Sequence, residues 1–159
     1  MSRSLGPRLP DALLARLTAP DPAERPGEVV VLVTVDPYGR PHPALLSYAE
    51  VLALDPGRVR LGLHAGTRSA THLRDSGRAT LIVADAELVL YVKADALPLP
   101  PASEPRLARF ELQVRDVLAD RAEGAEAGAA LTGGITFGWP GGPEAWARHA
   151  ARVRRALQA

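Results

Sequence analysis

The sequence predicts a mainly β protein, a small antiparallel barrel with peripheral helices. Six or seven short apolar segments rich in β-branched residues are separated by turn signals every 8 to 14 residues, a spacing typical of such barrels. A single helical segment interrupts these strands. A parallel sheet would require a helix after most strands, so we expect antiparallel pairing.

Length and composition limit the classes of function. With 159 residues we expect one domain over 1–159, divided into an N-terminal helix and loop (1–27), a barrel (28–137) and a C-terminal helix (143–158). A net charge of +1 gives no electrostatic case for nucleic acid. The absence of cysteine excludes disulfides and thiolate chemistry. No apolar run approaches the roughly 20 residues needed to span a bilayer, and the N-terminus has no continuous secretory h-region, so we expect a cytoplasmic protein that does not enter the membrane.

The first elements differ in their hydrophobic pattern. After Pro10, leucines at helical spacing predict a short amphipathic helix over Asp11–Leu17. A loop follows. From Glu28 the chain continues as VVVLVTV, a β-branched run that predicts a strand buried on both faces.

Two turns of one kind divide the next strands. Asp36–Gly39 combines a proline at the second turn position with a glycine at the fourth, which predicts a hairpin. The return strand, Pro41–Leu54, contains Pro43, which indicates an edge or a bulge because proline donates no ladder hydrogen bond. The turn Asp55–Arg58 then leads into a strand over Val59–His64.

The internal helix has recognisable ends. Thr67 is predicted to cap a helix of about two turns, 67–76, which closes near Gly77. Two further strands follow, Ala79–Ala84 and Leu88–Leu97.

In the last third of the chain, elements are predicted from the way apolar residues alternate with charged or polar ones. Leu107–Ala119 predicts a strand with a bulge or bend, Asp120–Ala130 is ambiguous between helix and loop, and Ile135–Phe137 predicts a last short strand. Residues 143–158 predict a helix whose apolar face comprises Trp146, Ala150, Val153 and Leu157. The arginines of this helix, Arg148, Arg152, Arg154 and Arg155, are interpreted as a solvated face.

The start of the internal helix is the first candidate site. Backbone N–H groups there have no intrahelical partner and lie at the positive end of the helix dipole. Thr67, Arg68 and Ser69 could therefore hold a phosphate together. The alternative is a simple N-cap without a ligand.

Other polar residues have competing interpretations. His64 and His72 are more often structural than catalytic at such positions. Lys93, the only lysine, either reaches an anion or is an edge cation that discourages pairing between sheets. For Glu123 and Glu126 we expect no catalytic role. Trp139 and Trp146 are expected in the core or at a dimer interface, and the alternative is a lid over a bound cofactor.

Four stretches resemble one known family. They are VVVLVTVDPYGRPHPALLSY, VRLGLHAGTRSATHLRDSGRATLIV, LVLYVKADA and FELQVRDVLAD, and together they run from Glu28 to Asp120. Their sequences, and the order in which they follow one another, resemble those of the FMN-binding split barrels related to pyridoxamine 5'-phosphate oxidase.

The resemblance implies a cofactor site. It implies a homodimer with FMN between the subunits, in which the flavin transfers a hydride or electrons to or from a small-molecule substrate. The phosphate would meet Gly66, Thr67, Arg68 and Ser69. The isoalloxazine ring would be lined by Pro43, Ala44, Leu45, Leu46, Ser47, His64 and Ala65, and Lys93 would reach the ring or an anion.

Two positions depart from the family pattern. Relatives often place a lysine or arginine where this chain has Ser69. The C-terminus, ARVRRALQA, lacks the pattern that reads the substrate in true pyridoxamine 5'-phosphate oxidases, so we do not expect that activity. The alternative to a flavin enzyme is a non-catalytic dimeric split barrel that binds haem, a deazaflavin or no ligand.

Overall fold

Eight strands and three α-helices form in residues 2–18, 24–102, 104–120 and 128–159, which are the residues that the computed structural model describes. The helices are α1 (Asp11–Thr18), α2 (Arg68–Ser76) and α3 (Gly142–Gln158). The strands are β1 (Ser2–Ser4), β2 (Val29–Val35), β3 (Pro41–Ser47), β4 (Val51–Asp55), β5 (Arg58–His64), β6 (Arg78–Ala84), β7 (Val89–Pro98) and β8 (Leu107–Asp120).

Seven strands form a curled antiparallel sheet in the order β3-β2-β6-β7-β8-β5-β4, and β1 pairs with the end of β8. The two edge strands, β3 and β4, follow each other in the chain. A short 3-10 turn, Tyr48–Glu50, joins them, so the sheet curls into a half-barrel. The prediction of a mainly β, antiparallel split barrel is confirmed.

The core lies inside the curl of the sheet. Alternate strand residues such as Val30, Leu61 and Phe110 are fully buried there, which follows from the two-residue period of a strand. Helix α1 adds Leu13 to this cluster and α2 adds Leu73. Burial of each such side chain stabilises the fold by about 1.5–3 kcal/mol.

A smaller core lies beneath α3. The predicted apolar face of this helix is buried against Ala49 and Leu52, and Trp146 is among the most buried side chains. The interpretation of Arg154 as solvated is wrong. Its side chain is buried, and its Nη1 donates to the carbonyl oxygens of Leu17 at 3.4 Å and Val51 at 3.5 Å.

The predicted turns form as expected. The Asp36 carboxylate accepts hydrogen bonds from the amides of Arg40 at 2.8 Å and Tyr38 at 2.9 Å. These bonds, with that from Arg40 foremost, lower the pKa of Asp36. Asp55 accepts from the amide of Gly57 at 2.8 Å in the same way. Both aspartates therefore stabilise their turns by accepting hydrogen bonds from turn amides.

Three element predictions require correction. The segment Pro41–Leu54 is not one strand, because the Ser47 amide and hydroxyl both donate to the Glu50 carboxylate and fold the chain into the 3-10 turn. The predicted strand at Ile135–Phe137 is reduced to one bridge between Glu28 and Thr136. Strand β1 lies where only helix and loop were expected. Glu123 and Glu126 lie outside the described residues.

Candidate functional site

The turn between β5 and α2 brings the predicted phosphate residues together. The Thr67 amide donates to the carbonyl oxygen of His64 at 3.0 Å, and the Thr67 hydroxyl donates to the same oxygen at 2.9 Å. That hydroxyl also accepts from the Ala70 amide at 3.3 Å. Thr67 is therefore the N-cap of α2, as predicted, and its hydroxyl hydrogen is already engaged.

The remaining donors at this helix start are one side chain and two amides. Among the described residues, the amides of Arg68 and Ser69 donate to no acceptor. The Arg68 side chain is exposed, whereas Ser69 is only 4% exposed. A Cβ added at Gly66 would meet only the Nδ1 of His64, at 4.0 Å. An anion would meet the Arg68 guanidinium and the free amides, but not the buried Ser69 side chain.

Arg106 is a residue that the sequence interpretation missed. Its carbonyl oxygen accepts from the Ala65 amide at 2.8 Å, which places its backbone directly beside the turn, and it is exposed. The segment before β8 thus brings the backbone of a second arginine beside the turn that leads to Arg68. No local pattern reveals this, because the two segments are joined only through the pairing of β5 with β8.

The predicted ring-lining residues of β3 divide between two faces of the sheet. Pro43 and Leu45 lie on the outer face, and Leu45 is 57% exposed. Ala44 and Leu46 alternate with them and pack against the core. On the outer face, a ligand would therefore contact the backbone of these two residues but not their side chains.

Ser47 ends β3 as a buried structural residue. Its amide and hydroxyl donate to one Glu50 carboxylate oxygen at 2.7 and 2.9 Å. Burial raises the pKa of Glu50 although both hydrogen bonds act in the opposite direction. The Ser47 side chain thus belongs to the turn that joins β3 to β4.

A buried polar contact ties α2 to the hairpin that contains β3. The Nδ1 of His72 lies 3.2 Å from the Thr34 hydroxyl, and the rings of His42 and His72 meet edge to face with centroids 4.9 Å apart. This supports the structural interpretation of His72. His64, by contrast, is exposed at the end of β5. The turn between β5 and α2, here called the phosphate turn after its predicted ligand, is consequently linked to β3 through packed side chains.

The outer face of the sheet carries a row of apolar side chains. Pairing across five strands aligns Leu45, Val31, Ile82, Tyr91 and Leu118. Apart from Leu45, which is exposed, they are half-buried. The row, here called the outer apolar row, begins at a predicted ring-lining residue.

Lys93 also lies on this outer face. Its strand, β7, is flanked by β6 and β8, so the interpretation of Lys93 as an edge cation is wrong. Its exposed side chain lines a cavity of about 400 Å³.

Two kinds of feature are absent from the described residues. No helix there is long and apolar enough to cross a membrane. No cluster of three or more histidine or carboxylate side chains is placed there to hold a metal ion.

Comparison with known proteins assigns the chain to a family. No family model matches it. The uncharacterized protein YclD of Bacillus subtilis (strain 168) is 31% identical over 114 residues, which cover 70% of this chain and 71% of YclD.

Solved structures share the fold at lower identity. A candidate pyridoxamine 5'-phosphate oxidase from Lactobacillus delbrueckii superposes with a TM-score of 0.59 at 18% identity, covering 74% of this chain and 99% of that one. HupZ from Group A Streptococcus gives a TM-score of 0.51 at 13% identity, with 70% and 90% covered. General Stress Protein 26 from Bacillus anthracis gives 0.50 at 12%, with 68% and 94% covered. The chain therefore belongs to the same family as YclD and has the pyridoxamine 5'-phosphate oxidase-like split-barrel fold.

Proposed function

We propose that this protein is a homodimeric FMN-dependent oxidoreductase that acts on a small molecule. The observation that carries the proposal is the start of α2, where the exposed Arg68 and two unpartnered amides follow a barrel strand. The likeness to a candidate pyridoxamine 5'-phosphate oxidase supports a flavin in this fold.

The donor set suits a phosphate monoester. A guanidinium and free amides at a helix N-terminus supply charge-assisted hydrogen bonds, each worth about 1.5–3 kcal/mol. The family resemblance implies a lysine or arginine at the position of Ser69, which here is buried. Arg106, whose backbone lies beside the same turn and whose side chain is exposed, would supply the second cation instead.

The flavin ring would lie along β3. Pro43 and Leu45 offer an apolar outer surface there, and the backbone of Ala44 and Leu46 offers hydrogen-bonding groups. FMN supplies hydride or electron transfer when it is bound. The chain itself would hold the phosphate, orient the ring and exclude water from one ring face.

The second subunit would cover the outer apolar row. Its β-branched and aromatic side chains lack full cover within one chain, and a contiguous apolar face of this kind marks an interaction surface. Because Leu45 belongs both to this row and to the proposed ring surface, the dimer would enclose the flavin between subunits.

The burial of Ser69 favours a second candidate, a non-catalytic dimer that binds another ligand or none.

The two candidate functions differ in the expected affinity of the protein for FMN. We expect the purified protein to bind FMN, and we expect Arg68→Gln to weaken binding about tenfold or more because it removes a charged hydrogen bond. Quenching of FMN fluorescence during titration measures both dissociation constants.

Arg74→Gln is the matched control, because Arg74 is an exposed arginine near the other end of α2. Its FMN affinity should stay within twofold of wild type. Equal losses in both variants would mean that Arg68 acts only through net charge. Absence of FMN binding to the wild-type protein, together with a colourless preparation, would favour the non-catalytic candidate.

A further inference from the structure

A cationic cavity opens on the outer face of the sheet, away from the phosphate turn. Its volume is about 400 Å³, and its charged lining comprises Arg78, Lys93, Arg115 and a single carboxylate, Asp95. Val33, Val35 and Thr80 add an apolar and hydroxyl surface. This volume lies in the range of sites for small molecules.

A β-bulge places one of the three cations. Lys93 pairs with Asp116 and its neighbour Ala94 pairs with Val114, so Arg115 is an additional residue in β8. Because of the bulge, the side chains of two consecutive residues, Arg115 and Asp116, lie outside the core, whereas the next residue, Val117, is buried in it. Bulges of this kind redirect side chains and are frequent beside functional sites.

The cavity has an excess of positive charge. Arg115 Nε donates to Asp95 Oδ2 at 2.7 Å, which satisfies the only carboxylate in the lining. Asp116, opposite Lys93, accepts from the Ser4 hydroxyl at 2.6 Å and does not line the cavity. Within the described ranges, neither Lys93 nor Arg78 forms an ion pair. Lys93 and Arg78 thus lie opposite Asp116 and Asp95 in the sheet but form no ion pair with them, and the lining keeps three cations against one carboxylate.

The position of the cavity separates it from the proposed FMN phosphate. Arg78 follows the C-terminal end of α2, whereas the phosphate turn lies at its N-terminus. A helix of nine residues spans roughly 13 Å. At the same time Val33, in the cavity lining, is the direct cross-strand partner of Pro43 on the proposed ring surface.

We infer that this cavity binds the anionic group, a carboxylate or a phosphate, of a small and partly apolar organic substrate. The substrate assignment rests on the proposed function, since the cavity adjoins the surface proposed for the flavin ring. Lys93 and Arg78 bind the charge, and the valines contact the apolar body. Lys93 is accordingly a substrate residue and not a ligand of the flavin.

Three probes of similar shape test this inference: benzoate, phenyl phosphate and neutral benzamide. Titrations of ¹⁵N-labelled protein at low ionic strength, where screening is weak, are followed by amide NMR shifts. We expect saturable shifts at Val33, Thr80 and Lys93 with one or both anions. Benzamide should bind at least fivefold more weakly. The preferred anion identifies the group that the cavity selects.

Variants separate this site from the flavin site. Lys93→Gln should weaken anion binding at least fivefold, Lys93→Arg should retain it, and Arg58→Gln, an exposed arginine outside the cavity, should leave it unchanged. FMN affinity, measured in parallel, should stay within twofold in all three.

Equal binding of benzamide and the anions would overturn the inference, as would a loss of FMN affinity in Lys93→Gln that matches its loss of anion affinity. If the wild-type protein binds anions at these residues but not FMN, the proposed function fails and the anion site stands.

Discussion

The Glu50 carboxylate makes stability depend on pH. Burial raises its pKa in the folded protein, so the folded state holds this proton more tightly than the unfolded state. The associated stability is present below the ordinary glutamate pKa and is lost as pH rises through the raised value. We therefore expect Glu50→Gln to gain stability relative to wild type as pH increases from about 4 to 8. A tenfold difference in proton affinity corresponds to about 1.4 kcal/mol.

Urea unfolding across this pH range measures the difference. The glutamine retains an amide oxygen in place of the one carboxylate oxygen that accepts from both the Ser47 amide and the Ser47 hydroxyl, so the turn can keep both hydrogen bonds. Glu144→Gln, at an exposed carboxylate on α3, should show no such trend. A difference between Glu50→Gln and wild type that is constant with pH would show that Glu50 titrates normally.

At the scale of single residues, sequence predicts conformational roles better than exposure. Thr67 caps α2 and Asp36 forms its turn as predicted, because both roles depend on neighbouring backbone groups. The burial of Ser69 and Arg154, and the position of the Arg106 backbone beside Ala65, depend on packing between segments that are distant in the chain. Residue type does not determine them, so the phosphate donor set was only partly predictable.

The helix α2 depends on the left-handed residue that ends it. Gly77 has φ 62° and its amide donates to the Leu73 carbonyl oxygen at 3.1 Å. A Cβ there would meet only an ordinary contact with the Ala96 carbonyl oxygen at 3.6 Å, so the cost of substitution is conformational. We expect Gly77→Ala to lower the free energy of unfolding by about 1 kcal/mol, as measured by urea unfolding.

Gly133→Ala provides the comparison, because Gly133 is exposed, has open space around it and does not adopt a positive φ. Its stability should remain close to wild type. Equal destabilisation by the two substitutions would indicate that the loss of glycine itself matters, and not the helix end.

At the scale of elements, prediction succeeded where the start and stop signals are local. The bounds of α2 and α3 agree with the sequence to within about one residue. The division of Pro41–Leu54 was missed although Ser47 and Glu50 have capping-box spacing, because apolar residues continue on both sides. Strand β1 was missed because three polar residues carry no periodicity.

At the scale of the molecule, the sequence predicts the class of fold but not the order of strands. The pairing of β2 with β6 and of β5 with β8 joins segments far apart in the chain. The run VVVLVTV predicts a strand buried on both faces, yet Val31 and Val33 are only half-buried on the outer side. This difference indicates apolar surface that one chain alone does not cover.

A second subunit over the outer apolar row makes a specific prediction for the assembly. Ile82 is central in that row, between Val31 and Tyr91, and a glutamate there would place a buried charge in the proposed interface, which is costly without a partner. We expect wild type to sediment as a dimer at micromolar concentration and Ile82→Glu as a monomer with unchanged far-ultraviolet circular dichroism. FMN affinity should fall in the same variant, because the proposed site lies between subunits.

The control is Ala151→Glu, at an exposed position of α3, which should remain dimeric. A dimeric Ile82→Glu variant, or a monomeric wild type that still binds FMN, would place the interface elsewhere or remove it from the site.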